Sequence, residues 1–491
     1  MSIFYGIENK YVDITEIAKR TLCTNGRIEI PPSDDIRPKY FGDPVCGVIK
    51  NIKIVDKNGK ETIYGPDVPV SVSFDDLYND DGIVIDINPK SYESCVWLSN
   101  NFKYVISVTS DIESFIDLKK FIHDNKCTNV NIFSYLLSTI CDRVNDPLII
   151  KTDSGIKYRT KTITVKELIY THIYQDSSLR EIPISLIKCN IKNTTGNIIE
   201  DLLYFSYYNT SLLYLSFYDE WPISDEANKI KYMFEYFDIS HDGTNNIENN
   251  HVLDYLTNNT SCSLIFKPNK KKGLLVKSQM PVLIIAYNQY TYVTNMVKQI
   301  EKYTSDIIIV DNKSDYGPLL EYYENDYKYT LLKQSQNYGH IVCYNNYIRW
   351  VIGAIHIITD PDLSFNPKLP DDFINHLVNI SIKYNAYKVG FALLHKADDI
   401  RKDIIWNRHT ITEWENKYWI RRIPDNKYEL YLAEIDTTFC LVNNTVNGPH
   451  IRIAGDYTCI HMPWHTNFKK YLKDGEYTAF MKNNRSSTWC N

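Results

Sequence analysis

The sequence predicts a multidomain α/β protein in which two Rossmann-like sheets follow a small β-rich unit. Its 491 residues exceed what one hydrophobic core usually organises. Apolar, strand-like runs alternate with helical patterns in two separate stretches, which is typical of sheets with parallel strands. A lysine-rich stretch between them, 267–273, predicts a solvated linker. We therefore expect a β-rich domain over 1–75, a Rossmann-like domain over 76–270 and a doubly wound domain over 278–491.

The overall composition excludes several classes of protein. The chain has 54 basic and 60 acidic residues and a formal charge of −6, so no nucleic-acid partner is expected. No apolar run reaches 18 residues, and the N-terminus lacks the pattern of a secretory signal. Eleven cysteines without a C-x-x-C pair favour reduced thiols in the cytoplasm. Tyrosine, asparagine, isoleucine and lysine are abundant, as an AT-rich genome would produce, and giant DNA viruses, some parasites and clostridia share such usage. If the protein is viral, the expected location is the host cytoplasm or the virion.

The first two domains are predicted from strand runs and turn signals. In the N-terminal domain, Arg37 and Asp43 are expected to form a stabilising ion pair, with a functional site as the alternative. In the middle domain the apolar runs that predict buried strands lie at 82–86, 104–108, 184–187, 212–217 and 262–266. Helical patterns cover 112–125 and 225–237.

The third domain shows a regular β-α-β-α-β-α-β order. Its predicted strands lie at 281–286, 306–310, 329–332 and 354–359, and its first helix has apolar residues at helical spacing from Val293 to Ile300. A second helix is expected between the second and third strands, and a third over 341–351. Doubly wound sheets bind ligands at the carboxyl ends of their strands. Polar residues at those ends are therefore the candidate site.

Asp360 and Asp362 directly follow the last of these strands, with Pro361 between them. Two carboxylates so placed can share Mn²⁺ or Mg²⁺ and leave coordination positions open for a diphosphate. Charged residues in a solvated loop are the alternative. The strand order favours the metal site.

Other polar residues belong to the same edge. Asp311 ends the second strand, where a carboxylate commonly holds a ribose or base, although capping of a helix is the alternative. Asn288 follows the first strand. Asn337 and Gly339 precede a helix whose backbone N–H groups can meet a nucleotide, and a plain loop-to-helix transition is the alternative.

Four segments and their spacing resemble GT-A-fold glycosyltransferases of the family-2 type: Ile285-Ala286-Tyr287-Asn288, Ile309-Val310-Asp311-Asn312-Lys313-Ser314, Asn337-Tyr338-Gly339-His340 and Thr359-Asp360-Pro361-Asp362. Segments 433–439 and 452–464 look like the closing motifs of a bacterial and viral branch of that family. The resemblance implies a nucleotide-sugar donor, held by Ala286, Asn288, Asp311, Asn337, Gly339 and Asp360. It also implies a metal held by Asp360, Asp362 and His461, although the residues alone also allow a packed loop histidine.

An inverting transfer needs a carboxylate that takes the proton of the acceptor hydroxyl. Asp436 is our choice, and the alternatives are Glu434, Glu415 and Asp399. The Glu-Asp base pair usual in the family is not evident here. Three tryptophans between the donor and base segments could stack on an acceptor sugar or pack in the core: Trp406, Trp414 and Trp419.

The middle domain resembles the FkbM-type, S-adenosylmethionine-dependent methyltransferases, at segments 84–88, 163–169 and 184–188. Three cofactor features of that family are replaced in this sequence. The turn after the first strand, 86–91, contains no glycine, no acidic residue follows the second strand at Val108-Thr109, and 188–193 departs from the family's Lys-x-Asp-x-Glu-Gly. We therefore expect a methyltransferase-like fold without catalysis that serves as a scaffold or acceptor-binding surface.

These observations predict a metal-dependent glycosyltransferase that moves a sugar from a UDP-sugar to a glycan or glycoprotein. One alternative is a sugar- or nucleotide-binding pseudoenzyme. The other is a bifunctional enzyme whose methyltransferase-like domain is also active. A homodimer is left open.

Overall fold

The computed structural model describes residues 2–24, 27–45, 47–55, 61–73, 81–89, 91–139, 148–151, 157–191, 196–209, 212–217, 223–241, 245–259, 261–406 and 408–482. The chain forms two compact units. The first comprises Met1–Leu136, Ile150–Thr160 and His172–Leu275, and the second comprises Leu137–Ile149, Lys161–Thr171 and Val276–Asn491. Segment 161–171 of the predicted middle domain thus packs with the C-terminal unit. No described helix is both long and apolar enough to cross a bilayer.

The N-terminal part of the first unit is rich in short antiparallel strands. Its elements are β1 (Ser2–Ile7), β2 (Lys10–Asp13), α1 (Thr15–Leu22), β3 (Cys23–Thr24), β4 (Arg27–Ile30), α2 (Pro38–Phe41), β5 (Asn51–Val55), β6 (Glu61–Tyr64) and β7 (Val70–Ser73). They form two sheets, ordered β2-β1-β5-β6 and β3-β4-β7. The side chains of Ile3, Tyr5 and Ile52 are among those buried in a common core, because alternate residues of these strands point inward.

The predicted ion pair between Arg37 and Asp43 is wrong. Arg37 is fully buried, and its guanidinium donates to the carbonyl oxygens of Pro31 (3.0 Å), Gly65 (3.2 Å) and Val68 (2.7 Å). Asp43 pairs instead with Lys50, at 3.0 Å. A guanidinium carries five donors in a fixed fork, which suits several carbonyls at once. Arg37 therefore stabilises the fold through hydrogen bonds to carbonyl oxygens and not through an ion pair with Asp43.

The larger part of the first unit is a mixed sheet. Its elements are β8 (Ile83–Ile87), α3 (Tyr92–Asn101), β9 (Tyr104–Thr109), α4 (Ile112–Asp124), β10 (Val130–Leu137), β11 (Leu148–Lys151), β12 (Lys157–Ile163), β13 (Ile184–Ile191), α6 (Gly196–Asn209), β14 (Leu212–Phe217), α7 (Ile223–Ile230), β15 (Phe237–His241), β16 (Asn245–Ile247), α8 (Val252–Asn258) and β17 (Cys262–Pro268). Helix α5 (Val165–Ile169), which follows β12 in the chain, belongs to the second unit.

The strands of this sheet follow the order β11-β12-β10-β9-β8-β13-β14-β17-β15-β16. Strands β10, β9, β8, β13 and β14 are parallel, and β17 is antiparallel to both of its neighbours. The order reverses between β8 and β13, which is the position where a Rossmann-like sheet binds its ligand. All five strand runs that the sequence predicted for the middle domain lie in this sheet.

The stretch 267–273, which the sequence predicted as a solvated linker, is exposed at Lys267 and at 271–273 but partly structured. Lys267 and Pro268 complete β17, and Lys270 Nζ lies 4.3 Å from the centroid of the Tyr207 ring. The Tyr207 hydroxyl donates to the Gly273 carbonyl oxygen at 2.5 Å. The Lys270 ammonium group therefore lies over aromatic surface, and the boundary between the units falls after Leu275, two residues beyond the predicted linker.

The second unit is built around a nine-stranded mixed sheet. Its elements are β18 (Val282–Ala286), α9 (Tyr290–Ile300), β19 (Ile307–Asp311), α10 (Gly317–Asn325), β20 (Thr330–Lys333), α11 (Asn346–Ile352), β21 (Ile355–Thr359), β22 (Leu363–Phe365), α12 (Phe373–Tyr384), β23 (Lys388–Phe391), β24 (Ile405–Trp406), β25 (His409–Thr410), α13 (Ile411–Asn416), β26 (Arg422–Ile423), β27 (Leu430–Leu432), β28 (Cys440–Asn443), β29 (His450–Ile453), β30 (Cys459–His461) and α14 (Glu476–Met481). The sheet order is β20-β19-β18-β21-β28-β23-β29-β27-β26.

The first four strands of this sheet are parallel and are buried on both faces, which explains their continuous apolar runs. Helix α9 buries Val293, Met296, Val297 and Ile300, the spacing that predicted it. The helix expected over 341–351 is instead a 3₁₀ turn, Gly339–Tyr344, followed by α11. The predicted fold class, a multidomain α/β protein with a β-rich N-terminal part, is confirmed.

Candidate functional site

The predicted donor-site residues meet at one edge of the second unit's sheet. Strand register places Ala286 at the end of β18 beside Asp311 at the end of β19. On the other side of β18, Ile284 pairs with Thr359, the last residue of β21 before Asp360. Because these strands run parallel, their carboxyl ends lie at the same edge. The sheet thus brings the Asp311 and Asp360 segments to the two sides of one strand end.

Asp360 is tied to the segment that contains the candidate base. Its backbone N–H donates to the Thr437 carbonyl oxygen (3.1 Å), and its Oδ2 accepts from Thr437 Oγ1 at 2.9 Å. Thr437 directly follows Asp436. These two hydrogen bonds therefore join the turn that contains Asp360 and Asp362 (the D-x-D turn) to the segment that contains Asp436 (the base segment).

Asp362 lies beside His461, as the resemblance implied. Strand β22, just after Asp362, pairs with β30, and the His461 Nε2 atom is 3.5 Å from Asp362 Oδ1. The predicted set of three metal ligands is not assembled as one group, because Asp360 turns toward Thr437. Among the described residues, no group of three His, Cys, Asp or Glu side chains is arranged to hold a metal ion. Asp362 and His461 form a close pair, and Asp360 stands on the same turn.

The electrostatics of this turn disfavour negative charge. Burial raises the pKa of Asp360 well above its usual range, and the charge of Asp362 raises it further. Burial also lowers the pKa of His461, which keeps its imidazole neutral and able to act as a metal ligand. Hard oxygen donors crowded in this way suit Mg²⁺ or Mn²⁺, since a divalent cation would stabilise both carboxylates. The donor set fits the implied metal.

The Asn288 side chain makes hydrogen bonds that join neighbouring segments at this edge of the sheet. It is fully buried with φ = 53°, and its Nδ2 donates to Asp315 Oδ1 (2.8 Å) and to the Ala479 carbonyl oxygen (3.0 Å). Its Oδ1 accepts from the backbone N–H groups of Asp315 and Tyr316. The amide is thus committed to the loop before α10 and to α14. Its donor-binding role stays a prediction, and the contacts assign it a structural one.

Asp311 is similarly enclosed. Its carboxylate accepts from Ser314 through both the backbone N–H (3.0 Å) and the hydroxyl (2.5 Å), and from the Tyr323 hydroxyl at 3.2 Å. Burial raises the pKa of Asp311, and the hydrogen bonds from Ser314 lower it. This arrangement resembles the capping alternative considered for Asp311, because the side chain stabilises the turn that follows its own strand.

The loop after β20 carries Asn337 and Gly339, which are both near the surface. Asn337 Oδ1 accepts from the Gly339 N–H at 2.8 Å, and Gly339 has φ = 68°, a conformation that glycine adopts without strain. Asn312 joins this loop to the end of β19: its Nδ2 donates to the Gly339 carbonyl oxygen (3.0 Å) and its Oδ1 accepts from the Tyr338 N–H. Ala286 contributes only backbone here, since its carbonyl oxygen accepts from Asn312.

The four candidate bases differ in exposure and partners. Asp436 and Glu434 are exposed, and the intervening Ile435 is buried. Glu415 is buried in an ion pair with Arg452 at 2.8 Å, and Asp399 lies 2.8 Å from His465 Nδ1. A base must be able to take a proton from a substrate. Asp436 and Glu434 meet this requirement best.

The three tryptophans are not equivalent. Trp406 is 41% exposed on the hairpin of β24 and β25. Trp414 is covered by Lys417, whose Nζ lies 3.1 Å from the ring centroid, and Trp419 packs against Tyr431. Trp406 is therefore the most exposed of the three rings.

Sequence reasoning missed four residues that organise this site: Asn312, Thr437, Lys388 and Arg452. For Lys388 a signal was present, since a single lysine begins the apolar run Lys388-Val389-Gly390-Phe391 of a buried strand. A charge in such a run predicts a specific partner. The partners of the other three depend on loop geometry, which the sequence pattern does not encode.

The first unit has a comparable strand edge with different chemistry. Asp86, near the end of β8, is fully buried, and its Oδ1 lies 3.2 Å from Lys188 Nζ on the neighbouring strand β13. Cys95 Sγ donates to Asp86 Oδ2 at 3.4 Å. Just beyond, Asn190 Nδ2 donates to the Asn88 carbonyl oxygen at 2.5 Å. These contacts join the two strands at the point where the strand order reverses.

Comparison with known proteins supports a glycosyltransferase domain. Residues 282–439 match the model of Glycosyl transferase family 2, as the sequence motifs predicted. The match spans β18 to the Thr437 segment and includes both Asp360 and Asp362. The C-terminal unit thus contains a family-2 glycosyltransferase domain. No curated protein matches the chain.

Several of the solved structures that match over part of the chain are methyltransferases. They include an rRNA methylase from Streptococcus thermophilus (11% identity, 39% of this chain and 90% of that chain, TM-score 0.24) and a dimethyladenosine transferase from Plasmodium falciparum (12% identity, 39% and 58%, TM-score 0.23). The METTL16 methyltransferase domain matches similarly (11% identity, 39% and 62%, TM-score 0.24). The first unit itself shows the strand order of a Rossmann-like sheet, with the reversal between β8 and β13.

Proposed function

We propose that the second unit is a metal-dependent glycosyltransferase, which moves a sugar from a UDP-sugar to a hydroxyl of a glycan or glycoprotein. One observation carries this proposal. Within a segment that matches family 2, the D-x-D turn stands at the carboxyl edge of a doubly wound sheet, tied to a segment with two exposed carboxylates. That edge is where such sheets bind nucleotides.

Asp360 and Asp362 would hold the Mn²⁺ or Mg²⁺ ion, with His461 beside Asp362 as a further ligand. When bound, the metal would offset the charge that develops on the leaving diphosphate. Two protein oxygens leave most coordination positions free for diphosphate oxygens and water, as is usual for Mg²⁺. The crowded carboxylates support this reading, because an isolated pair of buried negative charges is unfavourable.

The chemistry assigned to the chain itself is proton transfer and orientation. The acceptor oxygen forms a bond to C1 of the sugar as the bond from C1 to the diphosphate oxygen breaks, and the electron pair leaves with UDP. The proton of the acceptor hydroxyl passes to the Asp436 carboxylate. Attack from the face opposite the leaving group would invert the configuration at C1. Glu434, also exposed, is the alternative base.

A second candidate, a nucleotide- or sugar-binding pseudoenzyme, is favoured by a specific observation. The side chains of Asn288 and Asp311, which the resemblance assigns to the uridine, make hydrogen bonds to their own loops. A donor bound here would have to use backbone groups or displace those bonds. A protein that has lost turnover could retain the sheet edge for binding alone.

A donor-hydrolysis panel tests the two candidates. Purified full-length protein is incubated with UDP-, GDP- and dTDP-sugars, with Mn²⁺ or with chelator, and nucleotide release is measured. We expect UDP release that requires the metal. Calorimetric UDP binding without release from any donor would favour the pseudoenzyme, and release that persists in chelator would contradict metal dependence.

A further inference from the structure

A buried lysine holds the segment that contains the candidate base. Lys388, the first residue of β23, is 2% exposed. Its Nζ donates to the carbonyl oxygens of Asp436 (2.6 Å) and Ile435 (3.0 Å), and to the Tyr344 hydroxyl at 2.9 Å. An ammonium group has three protons, so these three acceptors use its full donor capacity.

A second buried cation, Arg452, binds the carbonyl group of the preceding residue, Glu434. Arg452 lies on β29, which pairs in parallel with β23. Its Nε donates to the Glu434 carbonyl oxygen at 3.0 Å, and its Nη1 binds the buried Glu415 carboxylate. Three successive carbonyl groups, 434 to 436, therefore point to two buried cations. The side chains of Glu434 and Asp436 consequently both project to the surface.

The held segment leads directly to the D-x-D turn. Thr437 follows Asp436 and is bonded to Asp360 through both its carbonyl oxygen and its hydroxyl. Tyr344, the third partner of Lys388, ends the 3₁₀ turn that begins at Gly339 in the predicted donor loop. Lys388 thus connects the base segment to the donor loop, and Thr437 connects the base segment to the D-x-D turn.

Stability alone does not account for a lysine in this position. Removing an ammonium group from water costs several kcal/mol, and its hydrogen bonds at best offset that cost, so an apolar side chain would serve a core strand as well. What the lysine adds is direction, because its three donors fix the carbonyls of residues 435 and 436 in space. Displacement of a reacting group by about 1 Å can lower a rate by about 100-fold.

We propose that Lys388 is a positioning residue for glycosyl transfer, which sets the Asp436 carboxylate against the D-x-D edge by holding the backbone of residues 435 and 436. The inference rests on the proposed function. It concerns orientation and not donor binding. The rate of transfer should therefore respond to Lys388 far more than the affinity for the donor does.

The test is Lys388→Met, which has a similar length and no donors. With a UDP-sugar that the wild type uses, kcat should fall about 100-fold, while KM for the donor and the calorimetric Kd for UDP stay within about threefold. Lys388→Arg keeps a buried cation and part of the donor set, so its kcat should fall by only about tenfold. A kcat that matches the wild type in a folded Lys388→Met protein overturns the proposal.

Lys277→Met is the matched control. Lys277 is also buried in the second unit, and its Nζ lies 2.6 Å from Asp306 Oδ2, away from the D-x-D turn. Its loss should lower the thermal unfolding temperature without changing kcat below that temperature. Should Lys388→Met fail to fold, Lys388→Arg decides the question: an unchanged kcat, or a loss confined to KM, overturns the positioning role.

Failure of the proposed function has a different signature. In that case the wild type releases no nucleotide from any donor in the panel, and the positioning role falls with it. If the wild type is active and Lys388→Met is equally active, only the inference about Lys388 fails. Wild-type turnover is therefore measured first, in the same buffer and with the same metal.

Discussion

The chain contains two parallel strand edges that each have an aspartate near the point where the strand order reverses, and the two aspartates have different partners. In the first unit, burial raises the pKa of Asp86 and the ion pair with Lys188 lowers it, while the Asn88–Asn190 contact joins β8 to β13 beyond it. In the second unit, Asp360 stands next to another carboxylate, Asp362, and burial raises its pKa. One edge satisfies its own charge, and the other leaves negative charge that a cation would stabilise.

The difference indicates that a sheet topology alone does not identify an active site. Both sheets reverse strand order at the edge concerned, and both have a carboxylate there. What separates them is the partner of the carboxylate: an internal lysine removes the need for a ligand, whereas a second carboxylate creates one. Variants that exchange or remove these partners should affect the two units in different ways.

The largest expected effect is on turnover after substitution of Asp362. Asp362→Ala removes one of the two oxygen ligands proposed for the metal, so metal-dependent UDP release should fall at least about 10³-fold. The matched substitution in the other unit, Asp86→Ala, should leave turnover within about threefold at a temperature where the protein is folded. Nucleotide release with a coupled assay measures both. Equal losses in the two variants would contradict the contrast between the edges.

Asp86→Ala should instead have the larger effect on folding. It leaves the Lys188 ammonium without its carboxylate partner in a largely buried position, which is expected to lower the free energy of unfolding by about 3–5 kcal/mol. Differential scanning calorimetry detects this as an earlier transition. The double variant Asp86→Ala/Lys188→Met removes both charges and should recover much of the loss. A double variant as unstable as the single one would show that the ion pair is not the cause.

Many of the parallel strands of both sheets could be predicted from sequence because their signals are local. Runs such as 282–286 and 307–310 are apolar throughout, the pattern of a strand that is buried on both faces. The position of Asp360 then followed from the strand before it. The family-2 match over 282–439 agrees with that prediction.

The partners within the site were predicted less well, because they depend on contacts between distant segments. Asn288 and Asp311 lie where expected, yet their side chains bond to Asp315, Tyr316 and Ser314 in neighbouring loops. The same holds for Arg37, whose three carbonyl partners lie 6, 28 and 31 residues away along the chain. The residue types predicted that each side chain would have polar partners, and only the folded chain shows which residues those partners are.

A further effect on stability appears at acid pH, since the strands that lead to the two carboxylates also differ. Before Asp360, β21 contains the fully buried His356, whose pKa burial lowers from 6.5 to about 3, whereas β8 has only apolar residues before Asp86. Below pH 6.5 the unfolded chain binds a proton that the folded chain does not. Stability should therefore fall by about 1.4 kcal/mol for each pH unit from 6.5 toward 3.

The matched variant for this effect is His356→Gln, which removes the titrating group and keeps a donor near the Gly353 carbonyl oxygen. Urea denaturation followed by tryptophan fluorescence reports mainly on the second unit, since six of the eight tryptophans lie within 276–491. The variant should lose less stability than the wild type between pH 6.5 and pH 4. Parallel losses in the two proteins would show that other groups dominate acid unfolding.

The smallest expected signal is the binding of S-adenosylmethionine by the first unit. The hydrogen bond from Asn190 to Asn88 spans the two strands where the order reverses, and Lys188 is committed to Asp86. To bind at this edge, S-adenosylmethionine would have to break the hydrogen bond between Asn190 and Asn88. The edge also lacks the glycine-containing turn that lets a backbone approach a ligand. Calorimetric titration of the full chain should therefore give no binding heat at micromolar concentrations. A measured micromolar affinity would mean that this edge, like that of the second unit, binds a ligand. The Asn88–Asn190 and Asp86–Lys188 contacts would then describe only its ligand-free form.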